Sequence, residues 1–513
     1  MGKFGETQLV NMVAVGKVTP VSVRLWMRSS RPGKHHIEID PYTEGEPTII
    51  VPTVIAGDGA ADFTHSVEYP RDFPGAAPLT PSSRYNYRIV RDSDGAPIGA
   101  GRFATTPASD DQTPEGYAVA LMSCHQPFNT DGELSERSVR MLRLVPEVLS
   151  GYNAKFVITC GDQIYADVPQ DFSLLNPHYA QKLDSTKQSI LDWSAAEVRR
   201  AYQERYRIFW SMNEVRHMYA NYPCYPILDD HEIMDDWGSN AAHSQKRFAN
   251  LAQGAREAYF DYQGSRVCAR GAKLPLSFHY EFGYGSLGAF VWDIRSQRRT
   301  GDRENRLYSP KQFADFERFL NKNGHKRVLL IVTSVPVVHL PSWLTDVGAA
   351  LVGDTIDFPD HWSYKKNVPA RDRLLIRLHQ HQEAHPNQRV VLVSGDVHVG
   401  CAFAIHWRYG KKAKLYQLTS SAVSNRMKKR DTYFSEIPPN LVSKLACKDG
   451  PSARVNLLKA AEGRDSNNPF GGLNIGIIGI RDRGDHSTVN LKLIGYPEAD
   501  KLTPVTMFGT GEL

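Results

Sequence analysis

The chain reads as an α/β protein preceded by a small antiparallel β-sandwich. Up to Thr106 the apolar positions alternate and form no helical stripe. From Tyr117 onward apolar strands alternate with helical stretches, as layered α/β structures require. Four of those strands run directly into short acidic, thiol or imidazole motifs, which places the chemistry on one edge of the layers.

In the first unit, residues 1–107, Val21, Val23, Leu25 and Met27 fall on one strand face, and Tyr85, Tyr87 and Ile89 repeat the pattern. Asp94-Gly95 supplies a turn before a strand at Gly99 to Thr106, so a fibronectin-like or immunoglobulin-like sandwich is expected. Residues 108–116 read as a linker, and residues 117–513 as the catalytic unit. Its candidate strands are Tyr117 to Cys124, Phe156 to Cys160, Tyr225 to Leu228, Leu287 to Trp292, Val328 to Thr333 and Val390 to Ser394.

Residues 168–223 carry a helical, aromatic insertion, placed to cover a site. There Ser194 and Glu197 form a capping box ahead of a buried stripe of Val198, Tyr202, Tyr206 and Phe209. A second helix is capped by Ser309, starts at Pro310, closes a capping box with Gln312 and buries Phe313, Phe316 and Leu320. Leu473 to Ile480 and Ser487 to Ile494 flank Arg483-Gly484-Asp485 as a hairpin that finishes a sheet.

Composition narrows the function. Sixty-one Lys and Arg against 56 Asp and Glu leave only +5, and no basic block is longer than Lys428, Lys429 and Arg430, so no specific nucleic-acid partner is expected. Six scattered cysteines without a Cys-x-x-Cys exclude a zinc knuckle and a dense disulfide framework. The most apolar run, Val328 to Val338, is too short for the ~20 residues that span a bilayer. The N-terminus shows no h-region or twin arginine, and Glu6 stands where myristoylation wants Ser or Thr. A cytoplasmic location is therefore expected, or a periplasmic or secreted one if a leader has been removed.

The motifs at the strand ends are Ser123-Cys124-His125, Gly161-Asp162-Gln163-Ile164-Tyr165, Asp229-Asp230-His231-Glu232 and Gly395-Asp396-Val397-His398. With Ser394 and the trailing segments Asp293-x-Arg295-x-x-Arg298 and Asn468-Pro469-Phe470-Gly471-Gly472-Leu473, they resemble the calcineurin-like metallophosphoesterases, and more closely the alkaline phosphatase D (PhoD-like) family. The resemblance implies a four-layer sandwich of sheets with helices outside. It also implies a pair of cations bridged by Asp162, with Cys124, Tyr165 and His398 completing one site and Asp230 and Asp396 holding the other.

The chemistry of those groups agrees. A phenol ordinarily protonated below about pH 10 and a thiol below about 8.5 are ionised by a strong Lewis acid, which suits Fe(3+). Carboxylate oxygens suit Ca(2+), Mg(2+) or Mn(2+) better than zinc, and the resemblance implies iron with calcium. A hydroxide bridging two cations would attack phosphorus, with His231 contacting the phosphoryl group or protonating the leaving oxygen.

Several residues keep two readings. Asp235 or Asp236 is a further ligand of the second cation, or both belong to a solvated acidic loop. Arg295 and Arg298 either contact the substrate phosphate or pair with buried carboxylates. His125, next to Cys124 on a strand, points to the other face or stands behind the ligands without an assigned role, and Trp362 and Tyr364 border the pocket or pack beneath a loop.

The expected activity is hydrolysis of phosphate diesters or monoesters. Phosphotriesterase or phospholipase-like activity is the alternative, and a catalytically silent cell-envelope binding protein is the alternative of another class. A serine hydrolase is excluded by the absence of a Gly-x-Ser-x-Gly elbow.

Overall fold

The computed structural model describes residues 2–513 apart from 44, 56, 58, 109–112, 114, 302–304, 342–343, 345–357, 409–413, 426–435, 449 and 497–502. The cluster Lys428, Lys429 and Arg430 and much of the 108–116 linker lie outside the described residues.

Seven strands build the N-terminal sandwich: β1 (Met12–Val18), β2 (Val23–Arg28), β3 (Gly33–Pro41), β4 (Ile49–Ile55), β5 (Thr64–Tyr69), β6 (Arg84–Arg91) and β7 (Pro97–Ala104). They form an antiparallel sheet in the order β1-β2-β5 and a second in the order β4-β3-β6-β7. Val23, Leu25 and Met27 of β2 face the core between them, with Tyr85, Tyr87 and Ile89 of β6 opposite. Val21 precedes the strand and is exposed, so the expected stripe starts at Val23.

The other face of β2 is buried too. Trp26 enters the core of the catalytic unit and its indole N–H donates to the Asp261 carbonyl at 2.7 Å.

Among the described residues, fifteen further strands form two larger sheets. The first, in the order β10-β9-β8-β20-β21-β22-β19, contains β8 (Tyr117–Met122), β9 (Ala154–Cys160), β10 (Cys224–Ile227), β19 (Glu462–Gly463), β20 (Ile475–Asp482), β21 (Ser487–Gly495) and β22 (Val505–Gly509). The second, in the order β11-β12-β13-β14-β16-β15-β18-β17, contains β11 (Tyr280–Tyr284), β12 (Leu287–Val291), β13 (Val328–Val332), β14 (Arg389–Ser394), β15 (Cys401–Trp407), β16 (Lys414–Thr419), β17 (Lys444–Ala446) and β18 (Ser452–Leu457).

β8, β9 and β10 are parallel, as are β12, β13, β14 and β16. One face of each large sheet contributes to a shared apolar core, through Val119, Leu121, Leu330 and Val391 among others. The opposite face of the second sheet buries Leu329, Ile331 and Leu392 against α6 (Pro310–Lys322) and α7 (Val368–Ala384). The expected closing hairpin is β20-β21, but β22 pairs beyond it, so the hairpin does not finish the sheet.

Among the described residues the other α-helices are α1 (Glu136–Gly151), α2 (Pro177–Leu183), α3 (Ala195–Phe209), α4 (Asn213–Asn221) and α5 (Ala249–Tyr262). α3 has the reciprocal Ser194 and Glu197 cap, and its stripe of Val198, Tyr202, Tyr206 and Phe209 is buried. Ser309 caps α6 as expected, but Gln312 does not return the bond. Its amide instead brackets the Asp293 backbone, accepting from N–H at 3.0 Å and donating to C=O at 2.9 Å.

Charge ties the sandwich to the catalytic unit. Asp62 takes a two-pronged contact from Arg28 at 2.9 and 3.0 Å and a third bond from Arg207 of α3 at 2.7 Å, and the Tyr262 hydroxyl of α5 donates to the same carboxylate. Burial alone would raise the Asp62 carboxyl, but Arg28, Arg207 and Tyr262 hold it below the usual range.

Asp62→Asn is therefore expected to cost about 3 kcal/mol, read as a lower urea midpoint at neutral pH. The stabilisation is complete above the ordinary carboxylate range near pH ~4 and is lost as pH falls through the lowered folded value. The gap between wild type and variant should close in acid.

Candidate metal centre

The parallel strands of both sheets end at one place. Two glycines permit it. A Cβ on Gly161, whose φ is +89°, would stand 2.4 Å from the Asp229 Cβ, so only glycine lets the ends of β9 and β10 close together. A Cβ on Gly395 would stand 2.3 Å from the Ser123 Cβ, so this glycine brings the end of β14 in one sheet against the end of β8 in the other.

Cys124, Asp162, Asp396 and His398 all have positive φ, between 53° and 69°. Left-handed backbone costs a non-glycine residue on the order of 1 kcal/mol and gathers at functional sites.

The groups then crowd one another. Cys124 Sγ and Tyr165 Oη each lie 3.3 Å from Asp162 Oδ2, and Tyr165 Oη lies 3.5 Å from His398 Nε2. Carboxylate oxygens of Asp162, Asp229, Asp230 and Asp396 lie within 4.8 Å of one another, as do donor atoms of Asp162, Asp230 and His231.

Burial raises the Asp162 carboxyl well above its usual range, and the charges of Cys124, Asp230, Asp229 and Glu232 push it further. Burial also raises the Cys124 thiol and, with Asp162 and Cys124 alongside, the Tyr165 phenol. The His398 imidazole is pulled down to about 4 by burial and by His231, which leaves it neutral with a free lone pair.

Asp162 Oδ1 is buried with no hydrogen-bond partner. An orphaned carboxylate oxygen among like charges is costly unless a cation meets it. The donor set therefore fits bound metal.

His231 stands at the rim. Its Nδ1 is 2.7 Å from Asp167 Oδ1, its Nε2 is 3.7 Å from Asp235 Oδ1, and its ring lies 4.0 Å from that of Tyr165. Burial disfavours the imidazolium, but Asp167, Asp230 and Asp235 outweigh it and raise His231 well above its ordinary value.

Asp235 is the exposed member of the acidic pair, and partial desolvation together with the Asp230 and Asp167 charges raises its carboxyl above the usual range. Asp236 donates its backbone N–H to Asp230 Oδ2 at 2.7 Å. His125 is turned away, its ring held by Ser424 Oγ and the Phe209 carbonyl, both at 3.0 Å. Trp362 is buried in the second sheet's outer core.

Of the two readings of Arg295 and Arg298, their geometry matches pairing with buried carboxylates. Arg295 is fully buried, with Nε donating to Asp229 and both terminal nitrogens donating to Asp360. Arg298 donates to Asp360 and, at 2.6 Å, to the Pro359 carbonyl. Asp360, shared by the two guanidinium groups, would otherwise be buried and unpaired.

Four further residues organise the site without having been assigned a role from sequence. Glu232 accepts the backbone N–H groups of Asp162, Gln163 and Asp229 at 2.7 to 2.9 Å. Burial pushes its carboxyl up to about 7, against those donors. Asp167 bonds His231, and Ser421 and Asn425, just past β16, reach Cys124 and Tyr165. β16 reads Lys-Leu-Tyr-Gln-Leu-Thr and is no continuous apolar run, so the rule that apolar strands end at the site does not reach the Ser420-Ser421 segment behind it.

Layered sheets with cation-ready groups at the ends of their parallel strands define an α/β metallophosphoesterase architecture. The model of the PhoD-like phosphatase family matches residues 120–450, and the chain belongs to that family. It is thus a metal-dependent phosphoric ester hydrolase.

A solved structure of PhoD, 14% identical, superposes with a TM-score of 0.67 over 99% of this chain and 90% of that one, which shows the shared fold. The FN5 domain of Drosophila Lar, also 14% identical, aligns over 20% of this chain and 99% of that one with a TM-score of 0.15. No curated protein matches the chain. Among the described residues no helix is long and apolar enough to cross a membrane.

Arg295→Met strands Asp229 and Asp360 and is expected to lower stability by about 3 to 5 kcal/mol, measured by urea unfolding. Unchanged stability with a raised KM would restore the substrate-contact role.

Proposed function

We propose that the chain hydrolyses phosphate diesters, and monoesters less well, with Fe(3+) held by Cys124, Asp162, Tyr165 and His398 and Ca(2+) held by Asp162, Asp230 and Asp396. Mg(2+) or Mn(2+) could replace calcium, and Asp235 or Asp236 would complete that second site. The observation that carries this reading is the orphaned, buried Asp162 carboxylate with a thiol and a phenol each 3.3 Å from its other oxygen. When bound, the cations would supply an activated water and offset charge on the phosphoryl oxygens.

The chain's own part is acid catalysis and positioning. Asp167 fixes the His231 ring through Nδ1 and favours its protonated form, leaving Nε2 to pass a proton to the leaving oxygen. Glu232 pins the Asp162 and Asp229 loops through their backbone N–H groups. Preference for a diester is supported by the commitment of Arg295 and Arg298 to carboxylates, since a second phosphoryl charge would meet neither fork.

Asp162→Asn is expected to abolish nearly all hydrolysis while the protein stays folded, because both cations lose their shared ligand. Turnover comparable to wild type would remove Asp162 from the centre.

Parallel assays with aryl mono-, di- and triesters should rank the diester first, and a triester in first place would favour the phosphotriesterase reading. Purified protein is expected to carry iron and a visible charge-transfer band. Protein that stays inactive after iron and calcium are supplied would favour an envelope-binding scaffold.

A further inference from the structure

The segment leaving β16 touches three of the four residues assigned above to iron. Ser421 Oγ lies 3.1 Å from Cys124 Sγ and accepts the His398 backbone N–H at 3.0 Å. Asn425 Nδ2 donates to Tyr165 Oη at 3.0 Å and lies 3.3 Å from His398 Nε2. The backbone N–H of Asn425 donates to the Cys124 carbonyl at 3.0 Å, which fixes the segment against the end of β8.

Chemistry assigns the donors. A cysteine that binds a cation does so as thiolate, which only accepts, so the Ser421 hydroxyl must donate to it. The His398 N–H already occupies a lone pair of that hydroxyl and leaves its proton for sulfur. Ser123 is a poorer donor to the same sulfur. Its hydroxyl is 3.4 Å from Cys124 Sγ but 3.0 Å from the Ser420 carbonyl, and it has one proton to give. A ligating phenolate likewise accepts only, and the Asn425 amide nitrogen faces it.

We propose that Ser421 and Asn425 are positioning residues that set how strongly Cys124 and Tyr165 donate electrons to the cation between them, an inference that rests on the ferric reading above. A hydrogen bond to a ligating thiolate or phenolate withdraws density from the metal bond. It raises the reduction potential of the iron and moves the ligand-to-metal band to shorter wavelength.

The test compares wild type with Asn425→Leu, Ser421→Ala and the hydroxyl-restoring Ser421→Thr by iron content, visible spectrum and reductive titration. Asn425→Leu and Ser421→Ala are expected to move the band to longer wavelength, lower the potential and weaken iron retention by about tenfold to a hundredfold. Ser421→Thr should keep the wild-type band.

Iron-replete variants whose band and potential match wild type would overturn the proposal while leaving the ferric site intact. A wild-type protein without iron would overturn both. Should Asn425→Leu fail to fold, Ser421→Ala, which removes a single oxygen, makes the same comparison.

Discussion

The rest of the structure depends on how closely the ends of parallel strands from two sheets approach. Gly395 meets Ser123 across the sheets and Gly161 meets Asp229 within one sheet, both at distances no Cβ could share. That approach forces a thiol, a phenol, several carboxylates and an imidazole into one dry place. Like charges so placed repel, and burial raises each acid toward its protonated form. Left-handed backbone at Cys124, Asp162, Asp396 and His398 adds strain. The apolar cores on either side must offset these costs, and cations at the centre would remove most of the repulsion.

Protein cations stand behind the acid cluster. Arg295 engages Asp229 and Asp360, and its Nη2 also lies 3.6 Å from Asp230 and 4.0 Å from Asp396. Arg298 shares Asp360, so positive and negative groups alternate from Asp229 to Arg298. A buried guanidinium offsets the cost of burying Asp229 and Asp360, and Arg295 and Arg298 hold the Asp360 carboxyl well below its usual range against the effect of burial.

The layer structure was legible because its strands are short apolar runs that end in Gly-Asp or Asp-Asp, as with Phe156 to Cys160 before Gly161-Asp162. A dry parallel strand needs continuous apolar residues, and a strand end that meets its neighbour needs glycine. The gathering of Cys124, Asp162, Tyr165 and His398 could be anticipated only by combining motifs, since a lone buried cysteine or tyrosine is ordinarily packing. Gln312 shows the limit: its spacing from Ser309 fits a capping box, yet the better partner is the Asp293 backbone, distant in sequence. Arg295 was ambiguous for the same reason, because its true partner Asp360 follows 65 residues later. Ser421 and Asn425 sit beside no recognised strand end, so nothing local marked them.

The sandwich is better understood as part of the catalytic body than as an appended module. Arg28 and Asp62 hold Arg207 and Tyr262, and Tyr262 stacks on Tyr206 of α3 at 4.6 Å. α3 ends in Phe209 and Trp210. The Phe209 carbonyl bonds His125 next to Cys124, and the Trp210 indole donates to the Gln163 carbonyl next to Asp162. A continuous set of bonds and stacked rings thus runs from the sandwich to the two loops that carry the candidate ligands. Displacing the sandwich would expose Trp26 and part Arg207 from Asp62, so the position of the sandwich is tied to the geometry of the centre.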